Sequence, residues 1–329
     1  MKINLKKYAL FMIINLLYFQ ALGYPSWDPQ FINRFSNPDV PINHKLRLAS
    51  LPYITYDAFR SICDHVCDET DVLFDPKLIK YADLIYVNSR ILEQFFKHAH
   101  PKIKNPYILI SGNSDASAPG ACANMLDDPK LLAWYGANCD LNYYHKKFIP
   151  IPIGIANKFW PYGDIKIINN LLSRLKQISK PRLLIMNFSL GTNYEVRHPI
   201  FVLLNNKQFF NPLLKPIYQL TQPFEEYILE LTRSKFVISP HGHGLDCYRT
   251  WEALLVNTIP IVKTSSLDAL YTDLPVMIVK NWSEVTKEFL EEQYSIIKNK
   301  SYKLEKLYFN YWHDLIKAHK QTCLCARKF

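Results

Sequence analysis

Short apolar runs punctuate the chain at 84–87, 107–110, 148–153, 183–186, 236–238, 259–262 and 276–279, and most of them end in a polar or glycine-bearing loop. They are apolar at successive positions and carry Ile and Val. A strand with one face in water alternates, whereas an unbroken run suits a strand covered on both faces, as in parallel sheets. Between the runs, apolar residues recur at helical spacing over 90–98, 166–178, 195–204, 225–234, 245–256 and 284–297, and again over 301–319. Alternating strand and helix predicts an α/β chain with parallel sheets. No repeat of solenoid period is present.

The helical pattern at 166–178 stops before Pro181 and separates two such sets. At roughly 150 residues per domain, 329 residues predict two. The expected organisation is a Rossmann-like unit at 24–178, a second at 179–300, and a helix and tail at 301–329 bearing Tyr308, Tyr311 and Trp312. Ligands of such sheets bind beyond the carboxyl ends of the strands, so loops that follow strands are where chemistry is expected.

Lys2, Lys6 and Lys7 precede an apolar stretch at 8–23, interrupted by Asn15 and Gln20 and closed by Ala21-Leu22-Gly23. This is the pattern of a signal peptide at 1–23, and its apolar core is shorter than the roughly 20 residues of a spanning helix. An uncleaved type II anchor has the same appearance. Either places the remainder in an exported compartment, a Golgi-type lumen or a periplasm, with membrane association through 8–23. The formal charge of +10 favours acidic partners. No basic run and no nucleic-acid motif accompany it, so nucleic acid is not expected and a nucleoside diphosphate suits the charge. The seven cysteines include Cys63 and Cys67 around His65, and Cys323 and Cys325, without a CxxC…CxxC framework.

The chemistry concentrates in Phe236-Val-Ile-Ser-Pro-His-Gly-His-Gly-Leu-Asp-Cys-Tyr-Arg-Thr-Trp-Glu, followed by the strand at 259–262. A strand ends at Ser239-Pro240, a loop with Gly242 and Gly244 follows, and a helix is expected to start near Leu245 or Asp246. Glycines admit close approach of a ligand, and the free N–H groups of a helix start favour an anion. Arg249 falls in the first turn and forks onto phosphate oxygens; Glu252, three residues on, shares its face and suits a ribose diol. Together they look like half of a sugar-nucleotide site. A plain Arg249–Glu252 ion pair is the alternative, as are metal-ligating roles for His241 and His243 with Asp246 and Cys247.

The segment SPHGHGLDCYRTWEALLVNTIPIVKTSSLDALYTDLPVMIVKNWSEVT at 239–286 closely resembles the C-terminal signature of exostosin-like glycosyltransferases, family 47 and its relatives. ISGNSD at 110–115, PIGIANKFWP at 152–161 and NFSLGTNYEVR at 187–197 are similar to the broader group. Asn257 departs from the glycine common there, and asparagine also tolerates a left-handed helix cap. The resemblance implies two facing Rossmann-like domains of the GT-B type. It implies inverting transfer of a sugar from a nucleoside-diphosphate sugar, most often a UDP-sugar, to a glycan acceptor. The donor then lies on the C-terminal domain, with Glu252 on the ribose and with His241, Gly242, His243, Gly244 and Arg249 facing the diphosphate. No metal or other cofactor is implied.

Inverting transfer needs a general base on the N-terminal side. Asp115, directly after a strand, is the first candidate and Asp140 the second; Asp115 in an Asx-turn or helix cap is the alternative. Arg197 is a second positive charge for the diphosphate or a surface arginine. Lys263 and Thr264 rim the cleft after the strand at 259–262, and 267–270 is placed over the nucleotide base. Asn138 orients a sugar hydroxyl or shapes a turn, and Trp160 stacks on an acceptor or belongs to a core. The competing functions are a non-catalytic nucleotide- or sugar-binding relative, and a serine hydrolase using Ser111 with Asp115, for which no GxSxG elbow exists.

Overall fold

The computed structural model describes residues 47–70, 73–205 and 223–327. The leader or anchor expected at 8–23 lies outside them. Among the described residues no helix is long and apolar enough to cross a membrane.

Two all-parallel sheets form. The first contains β1 (His65–Cys67), β2 (Leu84–Asn88), β3 (Tyr107–Gly112), β4 (Leu131–Gly136) and β5 (Phe148–Pro150), in that order. The second contains β6 (Arg182–Met186), β7 (Ser234–Ile238), β8 (Ile259–Lys263) and β9 (Met277–Val279), likewise in sequence order. Every expected run is a strand; β1 and β4 are additional. The helices are α1 (Tyr56–Ser61), α2 (Leu92–Gln94), α3 (Ile165–Ser173), α4 (Tyr194–Asn205), α5 (Phe224–Thr232), α6 (Tyr248–Leu255), α7 (Lys287–Lys298) and α8 (Phe309–Ala326). The pattern at 90–98 is broken up: α2 gives way to a π-helical turn at Phe95–Ala99. The helix expected from Leu245 starts later, because Cys247 is extended at φ −133° and ψ 136°.

Neither sheet reverses its strand order among the described residues, so neither opens the switch-point crevice of a doubly wound sheet. What the topology supplies instead is carboxyl-end loops that meet between sheets, described below.

The second sheet explains the unbroken apolar runs. Leu184, Met186, Phe236, Ile238, Ile259 and Ile261 pack on one side with Ile200 and Leu204 of α4 and Leu290 of α7. Ile185 and Val237, at the alternate positions, pack on the other with Leu171 of α3, Ile228 and Leu231 of α5 and Ala253 of α6. Period-two side chains covered on both faces leave no position for a polar residue. The first sheet is also covered twice. Trp134 of β4 meets Phe96 at 5.3 Å between ring centroids, whereas the adjacent Tyr135 points to the other face, where its hydroxyl bonds His319 of α8. Phe309 of α8 packs edge-on to Phe59 of α1, and Lys320 bonds Asp64. The helix expected to form a separate end piece therefore closes the first sheet. The helix at the expected domain boundary, α3, touches both cores, through Ile168 and Leu171.

At the amino end of the second sheet, Lys180 reaches the carbonyls of Thr232, Ser234 and Val256 and the hydroxyl of Thr258 within 3.3 Å. These oxygens sit at the ends of α5 and α6, where carbonyls lack helical partners and the helix dipole is negative. Burial pulls the ammonium down to about 8, which leaves it charged at neutral pH. Lys180→Met keeps the stem and removes the donors. It should cost about 2–4 kcal/mol, the desolvation of orphaned carbonyls, in urea unfolding at pH 7.

Candidate functional site

The loop after β7 is shaped from α4. Arg197 is 4% exposed, not a surface arginine. Its Nε donates to the His241 carbonyl (3.1 Å), Nη1 to that of Ser189 (2.9 Å) and Nη2 to that of Pro240 (3.3 Å). Asn193 donates to the Gly242 carbonyl, and the Cys247 thiol to that of Pro240. Gly242 lies so close to this scaffold that a Cβ there would stand 3.0 Å from the Thr192 methyl and 3.1 Å from Arg197. Any larger residue here would have to push the Thr192 methyl and the Arg197 guanidinium aside.

Arg249, in the first turn of α6, donates from Nε to the Asn187 carbonyl (2.6 Å), and its Nη1 is buried without a hydrogen-bond partner. Both guanidinium groups lie on the Phe188 ring, at 5.6 and 5.8 Å from its centroid. Burial first, and the charge of Arg249 second, lower Arg197 to about 10. Among the described residues neither arginine forms an ion pair. Two cations are thus held by carbonyls, with no carboxylate quenching their charge.

Glu252 is 4% exposed and accepts a hydrogen bond from Tyr227 of α5 (2.8 Å), so the helix ion pair with Arg249 does not form. Burial pushes its carboxyl up to about 7, against the opposing pulls of Tyr227 and Arg249. This carboxylate is held at the edge of ionisation by its site.

Loops of the two sheets meet at Asn138, which follows β4 in the left-handed region at φ 52°. Its amide donates to the Ser114 carbonyl (3.1 Å), and its oxygen accepts the Asp246 N–H (2.9 Å). Gly244 packs on the same side chain, which a Cβ would meet at 3.0 Å. Asp246 is 5% exposed, and its carboxylate accepts from the Ile153 and Cys247 N–H groups and from the Trp251 indole. Burial raises it to about 6 although these donors pull it down. Ser266, after β8, donates to the Cys139 carbonyl, and the His243 Nδ1 stands 3.8 Å from Asp115.

The structure gathers His241, Gly242, His243, Gly244, Arg249, Glu252 and Arg197 around one loop and brings Asp115 to its rim. The remaining expected residues differ in their settings. Asp140 is exposed and gives one oxygen to the Gly120 N–H (3.2 Å). Asn138 is a junction between loops, its side chain occupied by backbone groups. The local cap in the loop after β3 comes from Ser114, whose hydroxyl accepts the Ala116 N–H, leaving Asp115 free of that duty. Lys263 is exposed at the end of β8, while the Thr264 hydroxyl donates to Asp268. Leu267 and Leu270 are buried in the first core and do not reach out to cover a base. Ser111 is fully buried and its oxygen accepts from the Trp134 indole, which removes it as a nucleophile. Trp160 is half-buried, stacked on Tyr162 at 9°.

His65 pairs with Asp83, and Cys63 and Cys67 are free thiols. Among the described residues no three His, Cys, Asp or Glu side chains converge as a metal site. The sequence reading missed a buried polar network behind the loop after β3. Arg47 bonds Asp57 and Glu69, and Glu69 accepts from Asn88 and Asn113. Asn113 is itself left-handed, at φ 61°. Spacing carries no signal for such contacts, which join residues far apart in the chain.

Two outcomes follow from the buried carboxylates. Asp246→Ala strips four donors of their acceptor, the Ile153 and Cys247 N–H groups, the Trp251 indole and the Tyr271 hydroxyl, and should cost about 3–5 kcal/mol in chemical unfolding, at about 1–3 kcal/mol for each orphaned group, partly relieved by water. Glu252 has its folded pKa above its unfolded value, so its stabilising share is present below about pH 4.5 and is lost as pH rises to about 7. Glu252→Gln should therefore raise the melting midpoint at pH 8, by a stability gain on the order of 1–3 kcal/mol, and leave it unchanged near pH 4.

No protein-family model matches this chain, and a comparison with curated proteins gives no match.

Proposed function

We propose that the chain is an inverting glycosyltransferase that moves a sugar from a nucleoside-diphosphate sugar, a UDP-sugar, to a hydroxyl of a glycan. The observation that carries this reading is the pair of guanidinium groups held by carbonyls, one with a buried, unpartnered N–H, beside the buried Glu252. Uncompensated positive charge at the start of α6 suits a diphosphate, and a carboxylate one turn along suits the ribose diol. The resemblance of 239–286 to exostosin-like enzymes points to uridine. Two parallel sheets whose carboxyl-end loops touch support a GT-B arrangement of two Rossmann-like units, with acceptor on the first and donor on the second.

In this reaction the acceptor oxygen bonds to the anomeric carbon from the face opposite the leaving group. The bond from that carbon to the diphosphate oxygen breaks, and its electron pair leaves with the diphosphate. Arg249 and the N–H groups of α6 stabilise the charge that develops there. Arg197 acts by fixing the loop and by its field. No resident metal is part of this scheme. Of the two carboxylates expected as base, both exposed, Asp115 is the one that stands beside His243 of the donor loop.

Heat-denaturation midpoints of the full chain with UDP, GDP, CMP and ADP, with and without EDTA, test the donor site. UDP at 100 times its Kd stabilises the native state by about 2.7 kcal/mol, a rise of a few degrees. The expected result is a UDP-selective rise that EDTA leaves intact and that Arg249→Met and Glu252→Ala abolish. A flat response to all four nucleotides overturns the reading.

A further inference from the structure

We infer that His243 is the catalytic base of this site and that Asp115 is its positioning residue, the two forming a dyad that spans the two sheets. The inference rests on the donor-site reading above and deepens it.

The first argument is placement. His243 lies on the loop after β7 and Asp115 on the loop after β3, yet their Nδ1 and Oδ2 atoms stand 3.8 Å apart. One side chain sets both backbones. Asn138 holds the carbonyl of Ser114, next to Asp115, and packs against Gly244, next to His243, while accepting the N–H of Asp246. The spacing of the pair is therefore built into the junction between the sheets.

The second argument is availability. The buried carboxylates of this region are engaged. Glu252 is buried against Tyr227, and Asp246 holds four donors. Asp140 holds the Gly120 N–H, Asp57 and Glu69 hold Arg47, and the His241 Nδ1 faces the Gly242 carbonyl. The side chains of His243 and Asp115 are 65% and 71% exposed, open to an incoming hydroxyl.

The third argument is chemistry. An Nδ1–H turned toward Asp115 leaves the Nε2 lone pair of His243 facing away from the carboxylate, free to take a proton. As the acceptor oxygen bonds to the anomeric carbon and the diphosphate departs with the electron pair of the broken bond, the hydroxyl proton passes to Nε2. The imidazolium so formed is stabilised by the Asp115 carboxylate. The base and its partner come from different sheets, so the dyad exists only while the loops are joined.

The experiment follows UDP release by the full chain from UDP-glucose, UDP-galactose, UDP-N-acetylglucosamine, UDP-glucuronic acid and UDP-xylose, with water as acceptor. The UDP-induced rise in melting midpoint is measured in parallel. His243→Ala should lower kcat about 10²- to 10⁴-fold, the usual share of a general base, while the UDP-induced rise is retained. Added imidazole should restore part of the loss in His243→Ala and none in the wild type. Asp115→Asn should lower kcat by less. Turnover by His243→Ala at the wild-type rate overturns the assignment, and so does loss of the UDP-induced rise in that variant, which would make His243 a donor-binding residue. Absence of any rise in the wild type fails the donor-site reading itself and is separable from both.

Discussion

The carboxamide of Asn138 holds the two sheets at a fixed spacing. With its nitrogen it grips the loop after β3, and with its oxygen it grips the start of the segment leading into α6. A residue at φ 52° suffers strain unless it is glycine, or asparagine, whose short amide compensates locally. Here the amide is turned outward to other loops, so what compensates the backbone is a tertiary contact. Asp246 completes the junction by taking the Ile153 N–H from the loop after β5. Loops from β3, β4, β5 and β7 are thereby tied within a few ångströms, and the open pair at the rim inherits its geometry from them.

The two sides of this junction treat charge differently. Behind the loop after β3, Arg47 is neutralised by Asp57 and Glu69, and Arg60 by Asp68. That network positions backbone, and its three carboxylates more than offset its two arginines. Behind the loop after β7, among the described residues, Arg197 is bonded by carbonyls, Arg249 by one carbonyl with a second N–H buried and unpartnered, and both lie on the face of Phe188. Carbonyls meet the hydrogen-bonding needs of a guanidinium without cancelling its charge. The positive field therefore remains for a ligand to answer, which ion-paired arginines would not leave.

Much of this was legible in the sequence, for identifiable reasons. The second sheet could be read because its strands β6 and β7 are covered on both faces, so Ile185 is as apolar as Leu184 and the runs are continuous. Asn257 could be read as a left-handed cap, and it sits at φ 59°. The donor loop could be read because Gly242, Gly244, Arg249 and Glu252 are neighbours in the chain. By contrast β4 was missed, since Trp134 and Tyr135 are large aromatics whose burial depends on helices far away in the sequence. The sequence leaves Arg197 open between a charge for the diphosphate and a surface arginine, because an arginine satisfied by three carbonyls looks in sequence like one satisfied by water. The roles of Asn138 and Asp246 depend wholly on tertiary contacts, and no local pattern distinguishes them from turn residues.

The return of α8 to the first sheet bears on how the chain acquires its shape during synthesis. Tyr135 and His319 are 184 residues apart, and Asp64 and Lys320 are 256 apart. The face of β4 that α8 covers is made early and waits, apolar and unprotected, until every strand of the second sheet has left the ribosome. Closure over such separations is slow, and uncovered sheet faces invite aggregation in the interval. The first half of the chain is thus obliged to pass through a state with one open side, and its need for chaperones is set by the length of polypeptide inserted between a strand and its lid.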